Sequence, residues 1–196
     1  AGVDRAASRS ALGLGESAKA VLFVGKLLER KRPHNLLQAL AVLRSGGIDA
    51  HAVFAGDGPL RDSLSDAMRN LSVPTHFLGF RNQSELPEAY VLADALALPS
   101  EGSETWGLVA NEALACGTPI VISDAAGCAP DLVDEGRTGA SHAVGDVAGL
   151  ADALVRALAL PRQSAAIAAK AEAYSVRACS EGILAAAVAL RRHRKG

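Results

Sequence analysis

The stretch that decides the fold runs from Ala95 to Ile122. It begins Ala95-Leu96-Ala97-Leu98-Pro99 and crosses a polar loop, Ser100-Glu101-Gly102-Ser103-Glu104-Thr105-Trp106-Gly107. It continues as Leu108 to Ala115, turns at Gly117 and resumes as Pro119-Ile120-Val121-Ile122. The two short apolar runs read as strands covered on both faces, and the segment between them as a helix stopped by a glycine. A strand, a helix and a second strand in that order make a βαβ unit, the building block of a parallel sheet.

The same alternation extends in both directions. Ala20-Val21-Leu22-Phe23-Val24-Gly25, Ala50 to Gly56 and Thr75 to Phe80 read as further strands, and Gly139-Ala140-Ser141-His142 is the candidate sixth. Pro33 opens a helix through Leu43 with Leu36, Leu37, Leu40 and Leu43 on one face, and Leu60 to Leu71 is helical by spacing. Beyond Val144 every segment reads as helix: Ala148 to Leu158, Ser164 to Ala173 and Ser175 to Arg192. The expected fold is α/β, a Rossmann-like parallel sheet of about six strands with helices on both faces and a helical C-terminal tail. Residues 1–19 read as a linker-like start, 20–145 as the sheet core and 146–196 as the helical part, all within one domain.

Composition narrows the function classes. A net charge of −1 provides no field that would draw the chain to nucleic acid or to an anionic membrane. Aromatic residues are only 4%, so Ala and Leu must fill the core. Cys116, Cys128 and Cys179 show no C-x-x-C spacing, which points to a reducing compartment and against a disulfide framework. No apolar run reaches the roughly 20 residues that span a bilayer. The first residues lack the pattern of a signal peptide, so a cytoplasmic location is expected. The histidines are scattered, and no metal site is expected. The basic run Arg191-Arg192-His193-Arg194-Lys195 reads as a solvated helix end.

In open parallel sheets, ligands sit outside the carboxyl ends of the strands. The residues to weigh are therefore Gly25-Lys26, Gly56-Asp57-Gly58-Pro59, Gly79-Phe80-Arg81 and the loop from Ser100 to Gly107. Within that loop and the helix after it, Glu104 and Glu112 bracket the helix start. The amides of Gly107, Leu108 and Val109 belong to the first turn and have no intrahelical acceptors. Together with the helix dipole they suit a phosphate. Two carboxylates beside a phosphate cradle repel the phosphate itself, yet they are well placed to accept hydrogen bonds from hydroxyls on either side of a diphosphate. A nucleotide-sugar has that layout, with ribose on one side and hexose on the other. Taken alone, the pair of glutamates is better read as a helix-start acid and a solvated face, while the run Lys26 to Arg32 fits a solvated basic loop and a phosphate contact equally well.

The segment Glu104 to Val121 resembles the E-x7-E segment of family 4 retaining glycosyltransferases (glycosyl transferases group 1). The likeness continues through Phe23 to Pro33, Gly56-Asp57-Gly58-Pro59, Phe77-Leu78-Gly79, Tyr90 to Ser100 and Glu135-Gly136-Arg137-Thr138-Gly139. It implies one half of a GT-B fold, the C-terminal half that binds the nucleotide-diphosphate sugar, with transfer of a hexosyl group to an acceptor, retention of configuration and no metal or other cofactor. On that reading Glu104 contacts donor-sugar hydroxyls, and Lys26 and Lys31 neutralise the leaving diphosphate. Trp106, Gly107, Leu108 and Val109 line sugar and diphosphate through their amides, and Glu112 holds the ribose. Gly25, Gly56, Gly58 and Pro59 form the phosphate-side loops, and Arg81 borders the base.

The sequence departs from the family pattern in places. Lys26 stands where arginine is usual, and Trp106 where phenylalanine is common. Ala126-Gly127-Cys128-Ala129-Pro130-Asp131 lacks the usual paired glycines and glutamate. A GT-B enzyme also needs an N-terminal acceptor domain, for which these residues leave no room. Ala1-Gly2-Val3-Asp4 resembles the linker entering the second domain. The expectation is a donor-binding domain that is inactive alone, with any peripheral membrane contact at the inner face left to the other half. Two other readings stay open: a GT-B epimerase domain acting on a nucleotide-sugar, and a non-catalytic nucleotide-binding module. A dinucleotide-binding domain is disfavoured, because no G-x-G-x-x-G follows the first strand.

Overall fold

A computed structural model describes the backbone from Gly2 to His193 and the side chains as far as Leu190, so the basic tail lies outside the described side chains. Six strands form one parallel sheet: β1 (Lys19–Val24), β2 (Ala50–Ala55), β3 (Thr75–Gly79), β4 (Ala95–Leu98), β5 (Ile120–Ser123) and β6 (Gly139–His142). Their spatial order is β3-β2-β1-β4-β5-β6. The chain thus builds outward from β1 on one side, returns, and builds outward from β4 on the other. That reversal opens a crevice between the carboxyl ends of β1 and β4, where open α/β sheets bind ligands.

Period-two alternation sorts the core into two layers. Val21 and Phe23 of β1 face one way, with Leu36, Leu37, Leu40 and Leu43 of α2 (Pro33–Ser45), Leu64 of α3 (Arg61–Asn70) and Leu150 and Leu154 of α7 (Val147–Leu158). Leu22 and Val24 face the other way, toward Tyr90 of α4 (Leu86–Leu92), Leu114 of α5 (Leu108–Ala115), Leu132 of α6 (Ala129–Leu132) and Ile167 of α8 (Ala165–Ala173). Continuous apolar strands are what a sheet covered on both faces requires.

The stretch read as a linker contains α1 (Arg5–Ala11). Asp4 caps it, accepting from the amides of Ala6 and Ala7 at 2.9 and 3.1 Å. Arg5 and Arg9 reach Asp94, just before β4, at 2.6 and 3.0 Å, and Asp94 also accepts from the Ala20 amide at 2.8 Å. Burial alone would raise the Asp94 pKa; the Arg5 hydrogen bond, the Ala20 amide and Arg9 together hold it below the ordinary carboxylate value. The last helix, α9 (Val176–His193), leaves Val176, Ile183, Leu184 and Leu190 exposed. No single helix among the described residues is long and apolar enough to cross a membrane.

Candidate functional site

The loop after β4 and the loop after β1 meet across the crevice. Lys31 ends a 3-10 turn over Glu29–Lys31, and its ammonium pairs with Oε2 of Glu104, 73 residues further on. Both side chains are only 16% exposed. Three further contacts stitch the same loops: the Glu101 amide donates to the Arg30 carbonyl at 2.9 Å, Arg32 pairs with Glu101 at 2.9 Å, and Arg30 donates to the Ser103 hydroxyl at 3.4 Å. Lys26 stands exposed at the rim of the first loop.

Helix α5 starts at the centre of this arrangement. Its N-cap, Gly107, has φ +93°, a left-handed conformation that side chains other than glycine resist. A Cβ there would also lie 2.7 Å from a Leu98 methyl and 3.5 Å from Cγ of Glu104. Among the described residues, the amides of Gly107, Leu108 and Val109 donate to nothing, and the first bond of the helix runs from the Ala110 amide to the Gly107 carbonyl at 2.9 Å. A cluster of free amides, a carboxylate and an ammonium therefore converges at one strand end, an environment for an anion that carries hydroxyls.

Glu112 lies more than one turn into α5 and is half-buried. Its Oε2 accepts from the Tyr90 hydroxyl. Tyr90 is 1% exposed, and its hydroxyl titrates well above the ordinary tyrosine range, pushed up by burial and then by the hydrogen bond and charge of Glu112. Tyr90 is therefore a permanent donor. Arg162, from the connection between α7 and α8, braces the backbone beneath it. Arg162 donates to the Thr118 hydroxyl at 2.8 Å and to the Cys116 carbonyl at 3.2 Å, and Thr118 donates to the Tyr90 carbonyl at 2.7 Å. Burial, then the neighbouring charge of Arg5, lowers the Arg162 pKa to about 10.

The other residues singled out from the sequence fall into distinct places. Gly56 and Gly58 are filled by backbone contact with the β1 loop. A Cβ at Gly56 would sit 2.0 Å from the Gly25 carbonyl oxygen, and one at Gly58 2.6 Å from that of Leu27. These glycines hold the two loops together, with Pro59 exposed beside them, while a Cβ at Gly25 would meet open space. Arg81 borders a cavity lined by Leu78, Glu85 and Glu88 and closed by Ser8 and Leu12 from the α1 segment. The Trp106 ring lines a groove together with Leu108, Asn111 and Glu112. Its indole N–H donates to Asn111 at 2.7 Å, and it packs 6.0 Å from the Tyr174 ring, on the groove between α5 and the start of α9. An apolar wall at this position therefore serves helix packing.

Tyr90, Arg162 and Gly127 carry a share of the site that sequence reasoning missed. The Gly127 amide donates to the Glu104 carbonyl at 2.9 Å, and a Cβ there would lie 1.9 Å from the Thr105 carbonyl oxygen. Gly127 thus clamps the loop that carries Glu104. The single glycine left in the degraded Ala126–Asp131 segment was its signal. His34 contacts the Ser63 hydroxyl at 3.2 Å, and His51 stacks on His76 at 5.6 Å, away from the cradle. Among the described residues no three His, Cys, Asp or Glu side chains group as a metal site would require.

Known proteins resemble this chain in sequence and in fold. The chain is 41% identical over 161 residues to D-inositol 3-phosphate glycosyltransferase of Mycobacterium sp. (strain KMS), covering 78% of this chain and 36% of the relative. It therefore spans about a third of that curated relative's length. In three dimensions it resembles Anabaena HepE in complex with UDP, with a TM-score of 0.78, 26% identity and coverage of 94% of this chain and 52% of the other. HepE in complex with UDP and glucose gives a TM-score of 0.76 and 25% identity, with the same coverage. The family model for glycosyl transferases group 1 matches residues 4–174. The chain belongs to that glycosyltransferase family, and its six-stranded parallel sheet is a Rossmann-like half of the GT-B fold.

Proposed function

We propose that this chain is the C-terminal, donor-binding domain of a family 4 enzyme that transfers a hexosyl group from a nucleoside-diphosphate sugar with retention of configuration. The observation that carries the reading is the convergence of the free α5 amides, the Lys31 ammonium and the Glu104 carboxylate at the β1–β4 crevice. The diphosphate sits on the amides of Gly107, Leu108 and Val109. Glu104 accepts from sugar hydroxyls, and Glu112, aimed by Tyr90, accepts from the ribose. Arg81 borders the base at the end of β3. Uridine is the base to test first, since the Anabaena neighbour of the same fold holds UDP.

In the transfer step the bond between the anomeric carbon and the diphosphate oxygen breaks, and its electron pair leaves with the diphosphate. An acceptor hydroxyl forms the new bond and gives up its proton. Negative charge builds on the leaving oxygen, and in this scheme Lys31, the helix amides and Lys26 from the rim neutralise it, which lowers the barrier more than it tightens ground-state binding. These groups supply the positive charge without a metal in the scheme. The acceptor is bound by an N-terminal domain outside these residues, so this chain alone binds donor and transfers nothing. The three free thiols suit a reducing cytoplasm.

The test is a thermal-shift panel of uridine, guanosine and adenosine diphosphates against the full-length protein, with Glu112→Ala as control. A ligand that binds the folded state stabilises it by RT ln(1 + [L]/Kd), so one nucleotide should raise the melting temperature and the variant should blunt the rise. A flat response to all three sinks the reading.

A further inference from the structure

The ion pair between Lys31 and Glu104 has a consequence for which form of the nucleotide the site prefers. Among the described residues, Glu104 is the acceptor for the Lys31 ammonium, and no other side chain donates to the Glu104 carboxylate. The loops beneath them are pinned together by the Glu101–Arg30, Arg32–Glu101 and Arg30–Ser103 contacts. Gly127 clamps the Glu104 carbonyl from the far side. The backbone therefore holds the two residues close, and the pair opens by side-chain rotation alone. Glu104 also lies against the start of α5, with its Cγ 3.5 Å from the place a Gly107 Cβ would occupy. A diphosphate on the α5 amides and the Glu104 carboxylate thus compete for one ammonium.

We propose that Glu104 is a specificity residue that tells sugar-loaded from spent nucleotide, through its hold on Lys31. The proposal rests on the donor-site reading above. When a nucleoside diphosphate draws Lys31 to its phosphates, Glu104 loses its cation while half-buried beside a new anion, which is costly. A sugar attached to the diphosphate offsets that cost, because its hydroxyls donate to the freed carboxylate. A bare diphosphate has no such donors, and Glu104 pulls Lys31 back. The pair therefore weakens the product relative to the donor and favours release of the diphosphate after transfer.

The experiment is calorimetric titration of the full-length protein with UDP and with UDP-glucose, using GDP or ADP and the matching sugar if uridine is not the base. Glu104→Gln keeps the shape and removes the charge. It should bind the bare diphosphate about fivefold more tightly, which corresponds to ~1 kcal/mol, and bind the sugar nucleotide more weakly. A packing role alone would weaken both. The double variant Lys31→Ala with Glu104→Gln should bind the bare diphosphate no better than Lys31→Ala does. If Glu104→Gln leaves the bare diphosphate unchanged or weaker, the proposal is overturned. It is also overturned if the gain persists without Lys31, because the effect is then plain charge repulsion. A Lys31→Ala variant with wild-type affinity, or a wild-type protein that binds none of the three diphosphates, brings down the donor-site reading itself.

Discussion

The two glutamates that bracket the start of α5 are held in opposite ways. Glu104 lies in a loop and is paired with a cation, Lys31, from another loop. Glu112 lies inside a helix and accepts from a neutral hydroxyl, that of buried Tyr90. A cationic partner can be drawn away by a stronger anion. A hydroxyl with a pKa pushed far up by burial and by Glu112 itself stays protonated and stays in place. One carboxylate is therefore exchangeable and the other permanent. On the proposed function, this difference would match the two ends of a nucleotide-sugar, of which one is cut away in the reaction and the other is carried through unchanged.

The largest effect should come from the residue between them. Gly107→Ala forces a left-handed φ on a side chain and presses a Cβ toward Leu98. We expect a loss of about 1–3 kcal/mol in stability, measured by denaturant titration. Donor binding should fall at least tenfold by calorimetry, since the amides and both carboxylates shift together. Intact donor affinity in this variant would show that the α5 start does not seat the diphosphate.

Next come the two changes that separate the permanent carboxylate from its support. Glu112→Ala removes a charged acceptor, so donor affinity should drop by roughly 1.5–3 kcal/mol, about ten- to a hundredfold. Tyr90→Phe keeps the carboxylate and removes its fixed direction. The Michaelis constant for donor should rise about threefold, as the loss of one modest hydrogen bond implies, with the turnover number unchanged. Stability at neutral pH should fall by about 1–2 kcal/mol. The sign of the pH dependence follows from the raised Tyr90 pKa. Above the ordinary tyrosine value of 10.0 the unfolded chain gives up this proton and the folded chain keeps it, so wild-type stability declines as pH rises. Tyr90→Phe lacks that slope, and the gap between the two proteins should narrow in alkaline urea melts. A gap that widens would show that Tyr90 is not held as a donor.

This contrast also marks what could be read from sequence. Strands β1, β4 and β5 were legible as short apolar runs bounded by turn residues, and β6, although it carries Ser141 and His142, begins and ends where Gly139 and His142 suggested. Helices α1, α4 and α6 were not, because seven residues or fewer show too little periodicity. What stabilises α1 is a pair of arginines on Asp94, more than eighty residues away. Glu104, Glu112, Lys26 and Lys31 were singled out through the family resemblance, and of these the fold brings Glu104 and Lys31 into contact while Lys26 stands exposed. Their partners were not, since Tyr90, Arg162 and Gly127 act through contacts that only the folded sheet brings together. The Gly56–Pro59 turn was legible as a turn, but the backbone of the β1 loop that demands its glycines was not.

The smallest effect offers a direct view of the exchangeable carboxylate. Cys128 is fully buried, and a Cβ at Gly107 would lie 3.4 Å from its Sγ. Burial, and after it the charges of Glu104 and Asp131 against the help of its own backbone, raise the Cys128 thiol to about 11. Glu104→Gln should therefore lower that value by a few tenths of a unit, on the order of a single charge felt through a partly screened path. Ultraviolet absorbance of the thiolate, followed in a background where Cys116 and Cys179 are serine, reads the shift. In the same background Lys31→Ala should move the thiol the other way, because Glu104 then acts on it without its counter-charge. Equal shifts of one sign from both variants would mean that Lys31 and Glu104 do not neutralise each other in solution, and the distinction between an exchangeable and a permanent carboxylate would lose its physical basis.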